Sequence, residues 1–262
     1  MNESISILIS NWNGQEALYL TVESILLRTD YPNYNILVLD SSGEGSQDRN
    51  YLKEKEREGK LKLLTTNTQC LHDNAIPRLL KHCLSQIAVI LDSDVMIRKN
   101  GRDWLHVLTK PITSRYILGI ARTKGKGCIE SRKSYTAPTY QPFCMALNMI
   151  PYRKIEGKIH WQHESIKIKD YKGKSAFTEY KKDFNCVFGD VGYKLAEYVL
   201  FDNTEGLHML PLPLELYSKI THWGGMSSCY HTPEHPRVRT KWLMIKEELR
   251  ILRNEYASKH SN

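Results

Sequence analysis

Residues 87–97 read IAVILDSDVMI, and the order of residue types in this stretch decides the fold. Five apolar residues, Ile87 to Leu91, form a run of strand length with no polar interruption. Such a run suits a strand buried on both faces, as in a parallel sheet covered by helices. Asp92 and Asp94 follow, one on each side of Ser93. If the backbone stays extended, residues i and i+2 point the same way about 6.6 Å apart, which sends both carboxylates into one small volume at the strand's end. Two carboxylates so placed suit Mg²⁺ or Mn²⁺, hard ions that take one or two protein carboxylates and complete their shell with water and substrate phosphate oxygens. An isolated Asp-x-Asp is also a common solvated turn, so its weight depends on what surrounds it.

Working outward, the same unit recurs. Ile5 to Ser10 (ISILIS) is a β-rich run that ends at Asn11-Trp12-Asn13-Gly14 and leads into a helical pattern through Leu18, Val22, Ile25 and Leu26. Asn35 to Leu39 ends at Asp40-Ser41-Ser42-Gly43 and leads into a charged helical stretch, Asp48 to Glu58. Leu61 to Thr65 is a third strand, and a helix over about 71–85 returns the chain to Ile87. Strands alternating with helices predict an α/β fold with a mostly parallel sheet and helices on both faces. In such a sheet every strand delivers its C-terminal residue to one edge, where open α/β folds bind ligands. Asn11, Asp40, Asp92 and Asp94 are therefore expected together, in a pocket for a nucleotide.

The bulk numbers set limits. The chain has 262 residues, 41% hydrophobic and 25% charged, as in an ordinary globular protein able to bury a large core. Its net charge of +8 suits an anionic partner. Nucleic acid is not expected, because no recognition helix, zinc finger or RNA-binding signature is present and the positive charge is spread along the chain. Six cysteines are scattered with no C-x-x-C pair, and no secretory signal precedes the first strand, which predicts free thiols in a reducing compartment. No apolar stretch approaches the 18 or so residues of a membrane span.

The second half is less regular. Lys124 to Thr139 reads as a loop, Pro142 to Ile150 as a strand, and the segment 207–216 as further strand. Gly189-Asp190 opens a helical pattern through Tyr193, Leu195, Ala196 and Val199, and the chain from Pro236 onward reads as one long helix. That helix carries an apolar stripe at Trp242, Ile245, Leu249, Leu252 and Tyr256, expected to dock on the protein's own core, with a dimer or lipid interface as alternatives. Trp161, Tyr171, Phe177 and Tyr180 are candidates for an acceptor platform or for core packing. His222, Cys229, His231 and His235 include zinc's preferred ligands, but their spacing matches no standard zinc module.

The ordered set SILISNWNG, ILVLDSSGEGS, LHDNA, ILDSDVMI, FGDVGYKL and THWGGMS resembles glycosyltransferase family 2, enzymes of the GT-A fold that move a sugar from a nucleotide-sugar donor. The resemblance implies one Rossmann-like GT-A domain, with residues 1–120 as the nucleotide-sugar half and 121–262 as a smaller acceptor-side region with the C-terminal helix. It implies that Asn11 and Asp40 contact base and ribose, that Asp92 and Ser93 line the donor site, that Asp94 and His222 bind Mn²⁺ or Mg²⁺, and that Asp190 is the catalytic base. Ser41 and Gly189 stand where relatives often carry acidic residues. A UDP-sugar is the favoured donor, and the acceptor is a glycan, a lipid-linked molecule or a small molecule. The expected location is the cytoplasm, with peripheral contact at the inner face of the membrane. Two other readings are a non-catalytic protein of the same fold and a sugar nucleotidyltransferase, although the latter calls for a Gly-rich basic loop where this chain has Asn11-Trp12-Asn13-Gly14.

Overall fold

The structure is a computed structural model that describes residues 3–112, 116–123, 139–159, 161, 164–167, 178–181, 186–189, 195, 198, 208–223 and 236–260. Its first half follows the alternating pattern: β1 (Ile5–Asn11), α1 (Glu16–Arg28), β2 (Tyr34–Asp40), α2 (Gln47–Arg57), β3 (Lys62–Thr65), α3 (His72–His82) and β4 (Ile87–Asp92). Then come β5 (Val95–Ile97), α4 (Trp104–Thr109), β6 (Tyr116–Thr123), β7 (Thr139–Asn148), α5 (Met149–Ile155), β8 (Glu164–Lys167), β9 (Thr178–Lys181) and β10 (Cys186–Gly189). The last elements are β11 (His208–Pro211), α6 (Leu216–Lys219), β12 (Ile220–His222) and α7 (Pro236–His260).

Seven strands form the central sheet in the order β11-β6-β7-β4-β1-β2-β3. The neighbours β3, β2, β1 and β4 run parallel, whereas β7 runs antiparallel to both β4 and β6. This is the mostly parallel sheet expected, with one reversed strand set beside the Asp92 strand. β1 lies between two parallel partners, which explains why Ile5, Ile7, Leu8 and Ile9 are all fully buried.

Side chains alternate across the sheet and build two apolar layers. Leu8, Leu37, Leu39 and Ile90 pack with Ala75, Ile76 and Leu79 of α3 and with Tyr152 of α5. Ile7, Ile9, Val38, Val89 and Leu91 pack on the opposite side with Leu18, Val22 and Ile25 of α1, Leu52 of α2 and Trp104 of α4. Trp161 belongs to the first layer, its indole N–H donating to the Tyr152 hydroxyl at 3.0 Å. It is a core residue, not part of an open platform. The side chains of Tyr171, Phe177 and Tyr180 lie outside the described residues.

The C-terminal helix docks on the protein itself, as its stripe predicts. Ile245, Leu249 and Leu252 are buried against Ala17 and Leu20 of α1 and Met96 of β5. Tyr256, at the end of the stripe, is half exposed. Among the described residues no helix is long and apolar enough to cross a membrane. Cys70, Cys83 and Cys144 are free thiols, the latter two buried.

Candidate active site

Strand register brings the predicted residues to one sheet edge on two faces. Asn11 pairs with Asp40, and Ser10 with Asp92. Because successive residues face opposite ways, Asn11 and Asp40 lie on the α1–α2 side, whereas Ser10 and Asp92 lie on the α3 side.

On the first side, Asn11 and Asp40 are almost wholly buried. The Asn11 amide donates to Asp40 Oδ1 at 2.8 Å, to Asp48 Oδ2 at 3.0 Å and to Ser42 Oγ at 3.1 Å. Asp40 also accepts from Ser42 Oγ at 2.7 Å, and its other oxygen accepts from the Arg49 guanidinium. Arg49 further donates to the carbonyls of Asp40 and Thr66, at 3.1 and 2.9 Å. Asp40 is therefore ion-paired and hydrogen-bonded below the surface, and its position is that of a floor.

The loop between β1 and α1 passes over this floor in an unusual conformation. Asn13 (φ 52°) and Gln15 (φ 44°) both occupy the left-handed region, which L-residues seldom adopt. Hydrogen bonds hold them: Ser42 Oγ accepts from Asn13 N at 2.7 Å, and the Asp48 carboxylate accepts from Gln15 N at 3.1 and 3.2 Å. Between them Gly14 comes so close to Oδ1 of the Asn11 side chain that a Cβ would lie 2.5 Å from it.

On the second side, the backbone departs from the extended path expected after Asp92. Strand β4 stops at Asp92, Ser93-Asp94 make a turn, and β5 begins at Val95. β5 then leaves the main sheet and pairs antiparallel with β12, setting Val95 opposite His222. The turn matters because it brings the Asp pair to the histidine. His222 Nε2 lies 3.4 Å from Asp92 Oδ2 and 3.2 Å from Asp94 Oδ1. One ligand atom from each of the three residues falls within 4.8 Å of the others. Ser93, between the two aspartates, is buried.

Electrostatics match the geometry. Burial disfavours the His222 imidazolium, but the pull of the Asp92 and Asp94 carboxylates outweighs it and raises the pKa from 6.5 to about 9. A positive charge is thus favoured at the point where the three side chains converge. Two carboxylates and an imidazole form a donor set that fits a divalent ion such as Mn²⁺.

Several residues around this group were not singled out as site residues in the sequence. His72, at the start of α3, shares a hydrogen bond with Ser10 Oγ at 2.9 Å and lies 4.0 Å from Asp92 Oδ1. Its position inside the LHDNA segment was the available signal. Asp48, Ser42 and Arg49 form the bonds beneath Asn11; Ser42, in the Asp40-Ser41-Ser42-Gly43 turn, and Asp48, in the first turn of α2, had a place in the pattern, and Arg49 had none. Asp190, Cys229, His231 and His235 lie outside the described residues. A groove of about 1190 Å³ between α1, α2 and α7, lined by Tyr19, Tyr51, Leu249 and Tyr256 among others, contains none of the three converging side chains.

A family model described as glycosyl transferase family 2 matches residues 6–181, most of the chain, including Asn11, Asp40, Asp92 and Asp94 but not His222. The chain belongs to glycosyl transferase family 2. Similar solved structures include a mannosyltransferase from Pyrobaculum calidifontis in complex with GDP-Man and Mn²⁺, at 16% identity over 62% of this chain and 48% of that one, with a TM-score of 0.47. S. aureus TarS 1-349 in complex with UDP-GlcNAc is 16% identical over 64% of this chain and 50% of that one, with a TM-score of 0.44. GalNAc-T7 with UDP, GalNAc and Mn²⁺ is 16% identical over 58% of this chain and 36% of that one, also with a TM-score of 0.44. This family 2 chain therefore spans about half the length of the first of these structures, or less. No curated protein matches it.

Proposed function

We propose that this family 2 protein is a divalent-metal-dependent, inverting glycosyltransferase that moves a sugar from a nucleotide-sugar, with UDP as the first nucleotide, to an acceptor hydroxyl. The convergence of Asp92, Asp94 and His222 carries this reading. Asp94 and His222 are the metal ligands, with Asp92 beside them facing the ribose. The imidazole favours Mn²⁺ over the more oxygen-preferring Mg²⁺. A bound ion would supply Lewis-acid stabilisation of the departing diphosphate.

The chain's own residues have the remaining tasks. Asn11 and Asp40 form the floor under base and ribose, held level by Arg49 and Asp48, and Ser93 lies at the donor edge. In the transfer itself the acceptor oxygen forms a bond to the anomeric carbon as the bond from that carbon to the diphosphate breaks. The hydroxyl proton passes to a carboxylate, assigned here to Asp190, and the electron pair leaves with the diphosphate. One displacement at an α-linked donor gives a β-linked product. Residues 121–262 form the acceptor side in this proposal, and the reaction takes place in the cytoplasm.

Calorimetric titration of UDP, GDP and dTDP, each with and without Mn²⁺, tests the proposal. The expected result is metal-dependent binding of one nucleotide that disappears in Asp94→Ala. Binding of none, or binding that Asp94→Ala leaves intact, overturns the donor-site assignment. An Asp190→Asn variant is expected to bind donor and turn over slowly; wild-type turnover removes Asp190 as the base.

A further inference from the structure

The ribbon that brings Asp94 and His222 together is very small. β5 and β12 contribute three residues each, and two short strands are marginal on their own in water. Asp94 immediately precedes β5, and His222 ends β12 opposite Val95, so the distance between the two side chains depends on the ribbon keeping its register. Its own cross-strand bonds, such as Arg98 N to Lys219 O and Arg98 Nε to Thr221 Oγ1, both at 2.8 Å, are reinforced from outside the ribbon.

One edge of β5 faces β12. The other is bound by α1: Ser24 Oγ accepts from Ile97 N at 3.0 Å, and Arg28 Nη1 donates to Ile97 O at 2.9 Å. Arg28 is itself buried, and its remaining donors meet the Glu255 carboxylate of α7 at 3.0 and 3.2 Å. Near its other end, α7 reaches the ribbon directly. Lys241 Nζ donates to the carbonyl of Trp223, the residue after His222, and Trp223 N donates to Asp94 O at 3.0 Å. Met96, in the middle of β5, packs into the apolar contact between α1 and α7.

We propose that the C-terminal helix is a clamp on the metal group, with Lys241 and the Arg28–Glu255 pair as positioning groups that keep Asp94 and His222 at ligating separation. This rests on the reading that Asp92, Asp94 and His222 bind a divalent ion. The helix touches none of these three side chains in the bonds described; it acts through the Trp223 carbonyl at one end and through Arg28 and Ile97 at the other. Groups that orient metal ligands in this way typically change metal affinity when they are lost, even though the ligands remain.

Titration of Mn²⁺ alone into the full chain, read by calorimetry and by the electron paramagnetic resonance of free Mn²⁺, tests the clamp. Lys241→Met and Glu255→Gln are each expected to weaken Mn²⁺ binding about tenfold, the lower end of the effect usual for such supporting groups. Lys241→Arg, which keeps a donor, should restore most of the affinity, and Leu243→Ala on the exposed face of α7 should leave it unchanged. A cycle with His222→Ala separates positioning from general loosening: without the imidazole, Lys241→Met should cost no more than about twofold, because contacting groups in one network are not additive. Unchanged Mn²⁺ affinity in both Lys241→Met and Glu255→Gln overturns the clamp and leaves the metal site standing. The full tenfold loss persisting without His222 also overturns it. Absence of Mn²⁺ binding in the unmodified chain overturns the metal reading itself.

Discussion

His222 Nε2 faces Asp94 Oδ1 across 3.2 Å, although one residue closes β12 near the end of the chain and the other lies in the turn after β4. Their approach gathers two carboxylates and an imidazole into a group that could hold a metal ion, and it also makes the protein sensitive to pH.

The pKa of His222 is about 9 in the folded protein against 6.5 for an unperturbed imidazole, so the folded state holds this proton more tightly than the unfolded chain does. A raised pKa contributes stability that is fully present below about pH 6.5 and is lost as pH rises through about 9. The shift corresponds to at most about 3–4 kcal/mol. Melting of the metal-free protein in chelator should therefore fall between pH 6 and pH 10, and His222→Gln should flatten that fall. Saturating Mn²⁺ should oppose the trend, because ion and proton compete for the same nitrogen. A melting temperature independent of pH over this range in the unmodified protein sinks the account.

A second prediction concerns the floor. Arg49 and Asp40 form an ion pair whose side chains are 4% and 0% exposed, and Arg49 also serves two backbone carbonyls. Removing one partner of a buried pair leaves an uncompensated charge, which typically costs 3–5 kcal/mol. Arg49→Met is expected to lose about that much in urea unfolding. Asp40→Asn combined with Arg49→Met should cost less than the sum of the two single changes, since the residues share one network. Simple additivity would show that the pair does not act as a unit.

How much of this was legible beforehand depends on the range of the interactions. Ile87 to Asp92 is an unbroken apolar run closed by a polar residue, Ile5 to Asn11 and Tyr34 to Asp40 are β-rich runs broken only by Ser6, Ser10 and Asn35 that close the same way, and parallel pairing then places Asn11, Asp40 and Asp92 on one edge. Those are local signals. The turn at Ser93-Asp94 was not legible, because the apolar residues Val95 to Ile97 continue the strand pattern; only their pairing with Ile220 to His222 shows that they belong to another ribbon. Strand β6 was missed for a similar reason, since Tyr116–Thr123 takes its place by pairing with β7 and β11 and carries no distinctive alternation of its own. Arg49 read as one charge in a charged helix, and its role appears only when α2 packs beside the end of β2. The docking of the C-terminal stripe was legible from Trp242 to Leu252, whereas the exposure of Tyr256 and the Lys241 and Glu255 contacts were not.

Gly14 supplies a third prediction. A Cβ at this position would lie 2.5 Å from Asn11 Oδ1 and 3.1 Å from Leu18 Cβ. Neither contact can be relieved cheaply, because the Asn11 amide is tied to Asp40 and Asp48 and Leu18 is fully buried. Gly14→Ala is therefore expected to destabilise by about 1–3 kcal/mol, in the range of overpacked sites. It should also weaken nucleotide binding, by displacing the loop above the floor. Unchanged urea midpoint and unchanged calorimetric affinity would together refute the close approach.

The neighbouring Gln15 should respond in the opposite direction. Its φ of 44° with ψ of −127° is a conformation that a side chain opposes, and the Asp48 carboxylate holds it there by accepting from its N–H. Strain of this kind costs about 1–3 kcal/mol. Glycine adopts such angles without a Cβ clash, while giving back roughly 0.5–1 kcal/mol through the greater freedom of the unfolded chain. Gln15→Gly is thus expected to raise stability by about 1 kcal/mol, with the hydrogen bonds to Asp48 retained. If the loop's shape and not the Gln15 side chain serves the donor, nucleotide affinity in this variant should stay within about twofold of the unmodified protein, a difference below 0.5 kcal/mol. A loss of affinity with stability raised would instead assign the Gln15 side chain itself to the nucleotide, and a loss of stability would show that the strained conformation is not the one this loop adopts.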